Sequence, residues 1–200
     1  MAFTPLLEDL IDALRCLPGV GQKSAQRMAF QLLERGREGG WALSRTLAAA
    51  LEKIGRCETC QNFSETPQCP LCQDASRETD IMCVVESPAD VMAIEQARDY
   101  RGQYFVLMGH LSPIDGIGPE EIGVDKLLQR VTREGTRELI IATNPTVEGE
   151  TTAHYIADRL ADNGVLITRL AQGIPVGGEL GYIDGSTLVH AFTGRKPLAG

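Results

Sequence analysis

The sequence predicts a multi-part α/β protein: an N-terminal helical segment, a small four-cysteine finger, a mainly parallel sheet with flanking helices, and a C-terminal tail. Three observations predict it. Up to about Ile54, apolar residues recur at spacings of three and four, the period of an amphipathic helix. The polar stretch 55–77 carries two Cys-x2-Cys pairs. From Ile81 onward, short apolar runs alternate with helical patterns, as in βαβ units. The expected boundaries are 1–54, 55–78, 79–175 and 176–200.

In the first segment, Leu6, Leu7, Leu10, Ile11, Leu14 and Leu17 mark one helix, which Pro18-Gly19 ends. A second helix starts after Gly21 and turns Ala25, Met28, Ala29, Leu32 and Leu33 inward. A third covers 41–54, with Leu43, Leu47, Ala50, Leu51 and Ile54 on one face. Downstream, strands are expected at 81–85, 104–108, 139–142 and 165–170. They read as continuous apolar runs, as strands covered on both faces do. Helices are expected between them at 89–98, 124–133 and 150–162.

A chain of 200 residues suffices for one ordinary domain or two small ones, and its 43% apolar content is normal for a globular protein. No apolar run approaches the roughly 20 residues of a membrane helix. No basic stretch precedes an apolar core at the start, so the expectation is a cytoplasmic protein without membrane contact. The net charge of −8 argues against a nucleic-acid partner, but its distribution does not. Residues 13–56 hold eight basic side chains against three acidic ones. A polyanion responds to such a local surplus more than to the total.

The finger has too few apolar residues to build a core of its own and needs a staple. Cys57-x2-Cys60, eight intervening residues, and Cys69-x2-Cys72 supply one. Each pair lets two thiolates face one ion, and two pairs make the tetrahedral four-sulfur shell that zinc prefers. Such a shell leaves no position for water, so the expected zinc is structural. The interval between the pairs is long enough for a small hairpin. A pair of redox motifs or an iron–sulfur cluster are the alternatives. Cys16 and Cys83 stand alone among apolar neighbours and are expected to be buried.

The run 14–27, LRCLPGVGQKSAQR, resembles a helix–hairpin–helix motif. Gly19 and Gly21 allow backbone angles closed to other residues and let a phosphate approach the amides that open the second helix. Lys23 and Arg27, four apart, share one helical face and could neutralise phosphates without reading sequence. These four residues are the candidate DNA-binding set, for single- or double-stranded DNA. The alternative is an ordinary helical turn.

Val84-Val85-Glu86-Ser87 places an acid at a strand end, and the run 142–150, ATNPTVEGE, follows a later strand. Together they resemble the Toprim fold of topoisomerases and primases. The resemblance implies a glutamate at Glu86 and an Asp-x-Asp pair at positions 144 and 146, all binding magnesium for phosphoryl transfer. Here Asn144 and Thr146 stand at the pair, and Glu148 and Glu150 match a neighbouring Glu-Gly-Glu. Without those carboxylates, neither magnesium binding nor strand cleavage is expected. A magnesium-dependent nuclease or primase-like enzyme is the alternative function, and a protein-interaction scaffold is a third.

Helix–hairpin–helix, four-cysteine finger and degenerate Toprim domain in this order resemble the bacterial recombination mediator RecR family, over essentially the whole chain. The stretches 109–119 (GHLSPIDGIGP) and 177–184 (GGELGYID) match as well. The latter is similar to the family's Walker-B-like segment and ends at Asp184. No P-loop accompanies it, so ATP hydrolysis is not expected and a strand and turn for subunit packing is the plainer reading. The resemblance implies a non-enzymatic protein of the nucleoid. Such proteins form ring-like homotetramers around DNA and act with RecO and RecF to load RecA at single-stranded gaps.

Overall fold

The structure, a computed structural model, describes residues 3–195 and 197. The chain divides into two compact units, Met1–Ile54 and Gly55–Gly200.

The first unit is helical: α1 (Pro5–Leu14), α2 (Gln22–Glu34) and α3 (Arg37–Lys53). Pro5 opens α1, where its missing N–H is no loss. Ile11 of α1 meets Ala25 and Ala29 of α2, and all three are buried, with Leu7, Leu10, Leu14 and Val20 around them. The two alanines let the helix backbones close up. Of the rest of the expected inward face, Leu32 is half-buried and the other residues are not covered. Leu6, Leu17, Met28 and Leu33 are exposed. Leu17 falls in the turn, because α1 ends three residues earlier. Cys16 is exposed for the same reason, against expectation. Helix α3 starts at Arg37 rather than residue 41 and buries nothing; Leu43, Leu47, Leu51 and Ile54 lie in the open.

The second unit opens with the finger. A two-residue hairpin, β1 (Gly55–Arg56) and β2 (Phe63–Ser64), is followed by the short α4 (Pro70–Gln73). The hairpin encloses the first cysteine pair instead of spanning the interval between the pairs. The sheet follows: β3 (Glu78–Val85), α5 (Pro88–Ala97), β4 (Gly102–Val106), α6 (Val124–Glu134), β5 (Glu138–Ile141), α7 (Val147–Leu160) and β6 (Leu166–Arg169). Strand order is β4-β3-β5-β6 and every pairing is parallel. Successive residues of β3 serve opposite faces. Met82 and Val84 pack with Phe105, Leu127, Leu139, Ile141 and Ile156 beneath α6 and α7. Cys83 and Val85 face Val91 of α5, Tyr104 and Val106, and Leu71 of the finger joins that layer. Burying each such large apolar side chain contributes roughly 1.5–3 kcal/mol. The sheet is thus covered on both faces, as the apolar runs predict, and Cys83 is buried as expected.

Two differences bear on function. Helix α7 begins at Val147, three residues before the expected start, because Thr146 caps it: the Thr146 hydroxyl accepts from the Gly149 N–H at 3.1 Å. The tail carries no strand among the described residues. It forms a 3-10 turn, Leu180–Tyr182, and then α8 (Gly185–Thr193).

Candidate functional site

The finger brings its four cysteines together. Their sulfurs all lie within 4.8 Å of one another, with Cys57–Cys72 at 3.9 Å and Cys60–Cys69 at 3.5 Å. Sulfurs about 2.3 Å from a tetrahedral zinc stand about 3.8 Å apart, so the set fits the ion. The turns that build it are closed by main-chain bonds, Cys57 N–H to Asn62 at 2.7 Å and Cys72 N–H to Cys69 at 3.0 Å. The Cys69 N–H also donates to the Cys57 sulfur at 3.3 Å. A hydrogen bond with Cys72 pulls the Cys60 thiol down to about 5, while burial pushes Cys69 up to about 11. Four crowded thiolates repel one another. A dication removes the conflict, and its binding expels the protons. This is a closed site for one structural zinc.

The hairpin occupies the first unit. Leu17-Pro18-Gly19-Val20 makes a tight turn in which the Val20 N–H donates to the Leu17 carbonyl at 3.1 Å, and Gly19 takes φ +77°. Proline second and a left-handed glycine third is the type II pattern. Val20 then drops into the α1/α2 core. Gly21 is the N-cap of α2 and supplies no side-chain bond, so the first amides of α2 keep free N–H groups at the positive end of the helix dipole. A Cβ at Gly19 or Gly21 would meet nothing within 4 Å, so the space before these amides is open. Lys23 and Arg27 are exposed, and among the described residues neither has an ion-pair partner. The arrangement offers an anion two side-chain cations beside free amides.

At the sheet, Glu86 follows β3 and is buried at 6% exposure. Asn144, after β5, meets both of its oxygens: the main-chain N–H donates to Oε1 at 2.9 Å and the side-chain amide to Oε2 at 2.7 Å. His110 Nδ1 lies 3.5 Å from Oε2. Gly149 is obligatory here, since a Cβ would come within 2.0 Å of the Asn144 carbonyl and 2.9 Å of Glu86. Thr146 is committed to capping, Glu148 sits in the first turn of α7, and Glu150 pairs with Arg169. Asp184 caps α8, accepting from the Thr187 N–H at 2.9 Å and from the Ser186 and Thr187 hydroxyls. Among the described residues, the four cysteines are the only group of three or more Cys, His, Asp or Glu side chains close enough to share an ion.

Sequence reasoning missed the residues that tie the finger to the sheet, above all Arg130, Gln61 and Arg77. The Arg77 side chain is nearly buried; it pairs with Glu95 and donates to the Gly102 carbonyl at 3.0 Å. For Arg130 a signal existed: in 124–131 it is the one charged residue on the stripe of Val124, Leu127 and Val131.

Comparison with known proteins agrees with these features along the whole chain. Residues 7–51 match the family described as RecR, helix-hairpin-helix. Residues 54–74 match the RecR four-cysteine zinc finger domain. Residues 80–171 match the Toprim domain, and residues 173–196 match RecR, C-terminal. Among similar proteins, "Recombination protein RecR" of Pseudomonas putida (strain W619) is 57% identical over 200 residues. Its counterparts in Pseudomonas syringae pv. tomato and Stutzerimonas stutzeri are 56% identical over 200 residues and 57% over 199. All three alignments cover 100% of both chains.

Proposed function

The chain belongs to the RecR family of recombination proteins, and from that membership we propose a non-enzymatic DNA-binding mediator of recombinational repair. It acts in the cytoplasm, at the nucleoid. It assembles with copies of itself into a ring or clamp, dimer to tetramer. With RecO and RecF it promotes loading of RecA on gapped or single-stranded DNA. The observation that carries DNA binding is the hairpin: uncapped amides of α2 in open space, flanked by Lys23 and Arg27. Gly19 and Gly21 shape the approach, and the two cations hold the phosphates without reading sequence.

The labour divides as 1–54 for DNA, 55–78 for zinc, 79–175 for the Toprim sheet and 176–200 for the Walker-B-like tail and oligomerisation. Self-assembly is supported by the uncovered stripe of α3. The non-enzymatic reading is supported by Asn144, whose amide protons occupy both Glu86 oxygens where a second carboxylate would help hold magnesium. Glu148 stays outside any reaction on this reading.

The test is RecA filament formation on gapped DNA in the presence of RecO and RecF. Wild-type protein accelerates it and K23E/R27E does not. Equal acceleration by the variant, or magnesium-dependent nicking of plasmid DNA that Glu86→Ala abolishes, overturns the reading.

A further inference from the structure

Arg130 sits on the buried stripe of α6 and is only 3% exposed. A guanidinium in that position must be held by hydrogen bonds on several sides. Its Nη1 donates to the Tyr104 carbonyl of β4 at 2.7 Å and to the Thr59 carbonyl at 3.2 Å, and its Nε donates to Glu134 at 2.9 Å. Thr59 is a residue of the turn between Cys57 and Cys60. One buried cation therefore grips a helix, the edge strand of the sheet and the peptide that spaces two zinc ligands.

Other bonds follow the same join. The Val106 N–H of β4 donates to the Cys60 carbonyl at 2.8 Å, so the finger supplies an acceptor to the open edge of the sheet. Gln61 stands in left-handed backbone, φ 64°, which side chains ordinarily avoid. Its side chain explains its place: Nε2 donates to the Cys57 carbonyl at 3.1 Å while Oε1 accepts from Lys126 of α6 at 3.3 Å. Glycine would suit the backbone but could make neither bond.

We propose that Arg130 is a positioning residue for the zinc site, so that zinc binding in the finger and folding of the sheet form one coupled equilibrium. Zinc with four thiolates carries two net negative charges. The guanidinium holds the peptide between two of those thiolates and fixes the direction of the turn before the ion arrives. Groups that orient metal ligands from outside the coordination shell commonly change metal affinity about 10–100-fold when removed. By linkage, the same free energy returns as zinc-dependent stability of the sheet.

The full chain provides its own reporters. All four tyrosines, Tyr100, Tyr104, Tyr155 and Tyr182, lie in the second unit, and the single tryptophan, Trp41, lies in the first. Zinc affinity is measured by competition with a chromophoric chelator under reducing conditions. Thermal unfolding is followed with and without zinc by tyrosine near-ultraviolet dichroism and by tryptophan fluorescence. Arg130→Met is expected to weaken zinc about 10–100-fold and to shrink the zinc-dependent shift of the tyrosine transition. The Trp41 transition should stay in place. Arg130→Lys, a single-point donor, should fall between the two. A folded Arg130→Met protein with wild-type zinc affinity and an undiminished shift overturns the proposal, because a purely structural role would lower both zinc-free and zinc-bound midpoints equally. Should Arg130→Met not fold, Gln61→Ala decides: weaker zinc binding supports the coupling, and wild-type affinity overturns it.

Discussion

Residues 3–54 and the unit that begins at Gly55 dispose of their apolar side chains in different ways. In the sheet unit, Met82, Val84, Phe105, Leu107, Leu139 and Ile141 are essentially sealed from water between two layers of cover. In the helical unit the sealed set is Ile11, Ala25 and Ala29. Trp41 remains 66% exposed, Leu51 78%, and Leu43 and Leu47 53% each. A groove of about 450 Å³ lined by Leu14, Leu17, Met28, Leu32 and Leu43 also lies open there. The sheet thus completes its own core and zinc is the staple of the finger, while Val176, Leu180, Tyr182, Val189 and Phe192 of the tail that follows the sheet stay exposed. The helical unit carries the hairpin proposed to bind DNA on a small core beside an uncovered apolar face. The contrast teaches that the helical unit, unlike the sheet, has little sealed core of its own, which fits the proposed self-assembly.

The largest expected effect breaks the self-sufficient half. Cys60→Ser removes one of four ligands from an ion whose binding is worth roughly 10–16 kcal/mol in comparable sites. Tyrosine dichroism should show the sheet transition falling by more than about 10 °C or losing cooperativity, while Trp41 fluorescence holds. A displaced Trp41 transition of equal size would erase the contrast between the units. Next comes the reverse experiment. Ile11→Ala should cost roughly 2–5 kcal/mol, a large share of so small a core, and should melt the Trp41 signal while the tyrosine transition stays. Smaller still is the double change Leu43→Gln with Leu47→Gln. At exposed positions it should alter the intrinsic stability of the chain by no more than about 0.5 kcal/mol each, yet lower the mass measured by light scattering. An unchanged mass would mean that the α3 face has no partner in self-assembly.

Legibility in the sequence follows the same division. The cysteine spacing singles out the four ligands and favours zinc over a redox pair or an iron–sulfur cluster, because two matched pairs in a core-poor segment have few other uses. The alternating runs give the sheet and its cover, since period and length distinguish strand from helix. The stripe of Leu43, Leu47 and Leu51 is equally plain as a pattern. Periodicity shows that a face is apolar, however, not whether the same chain covers it, so the open state of the α3 face could not be read from it. Thr146 stands out in the sequence only as a missing acid, although a threonine three residues ahead of a helical glycine is also a cap, and the cap sets where α7 starts. Cys16 reads as buried between Leu14 and Leu17, but α1 ends at Leu14 and leaves Cys16 and Leu17 in the turn. The role of Arg130 and Gln61 at the join is invisible because their contacts, Arg130 with Thr59 and Gln61 with Lys126, link 59–61 to 126–130, a distance that no local pattern reports.

The claim that the hairpin binds DNA is tested most directly by the affinity of K23E/R27E for short gapped DNA across a salt series, with stability followed in parallel. Without its two phosphate-holding cations, the variant should show a slope of log affinity against log salt reduced by about 2 and binding at low salt weakened by more than tenfold, with folding and zinc content intact. Wild-type affinity and wild-type slope in that variant would contradict it.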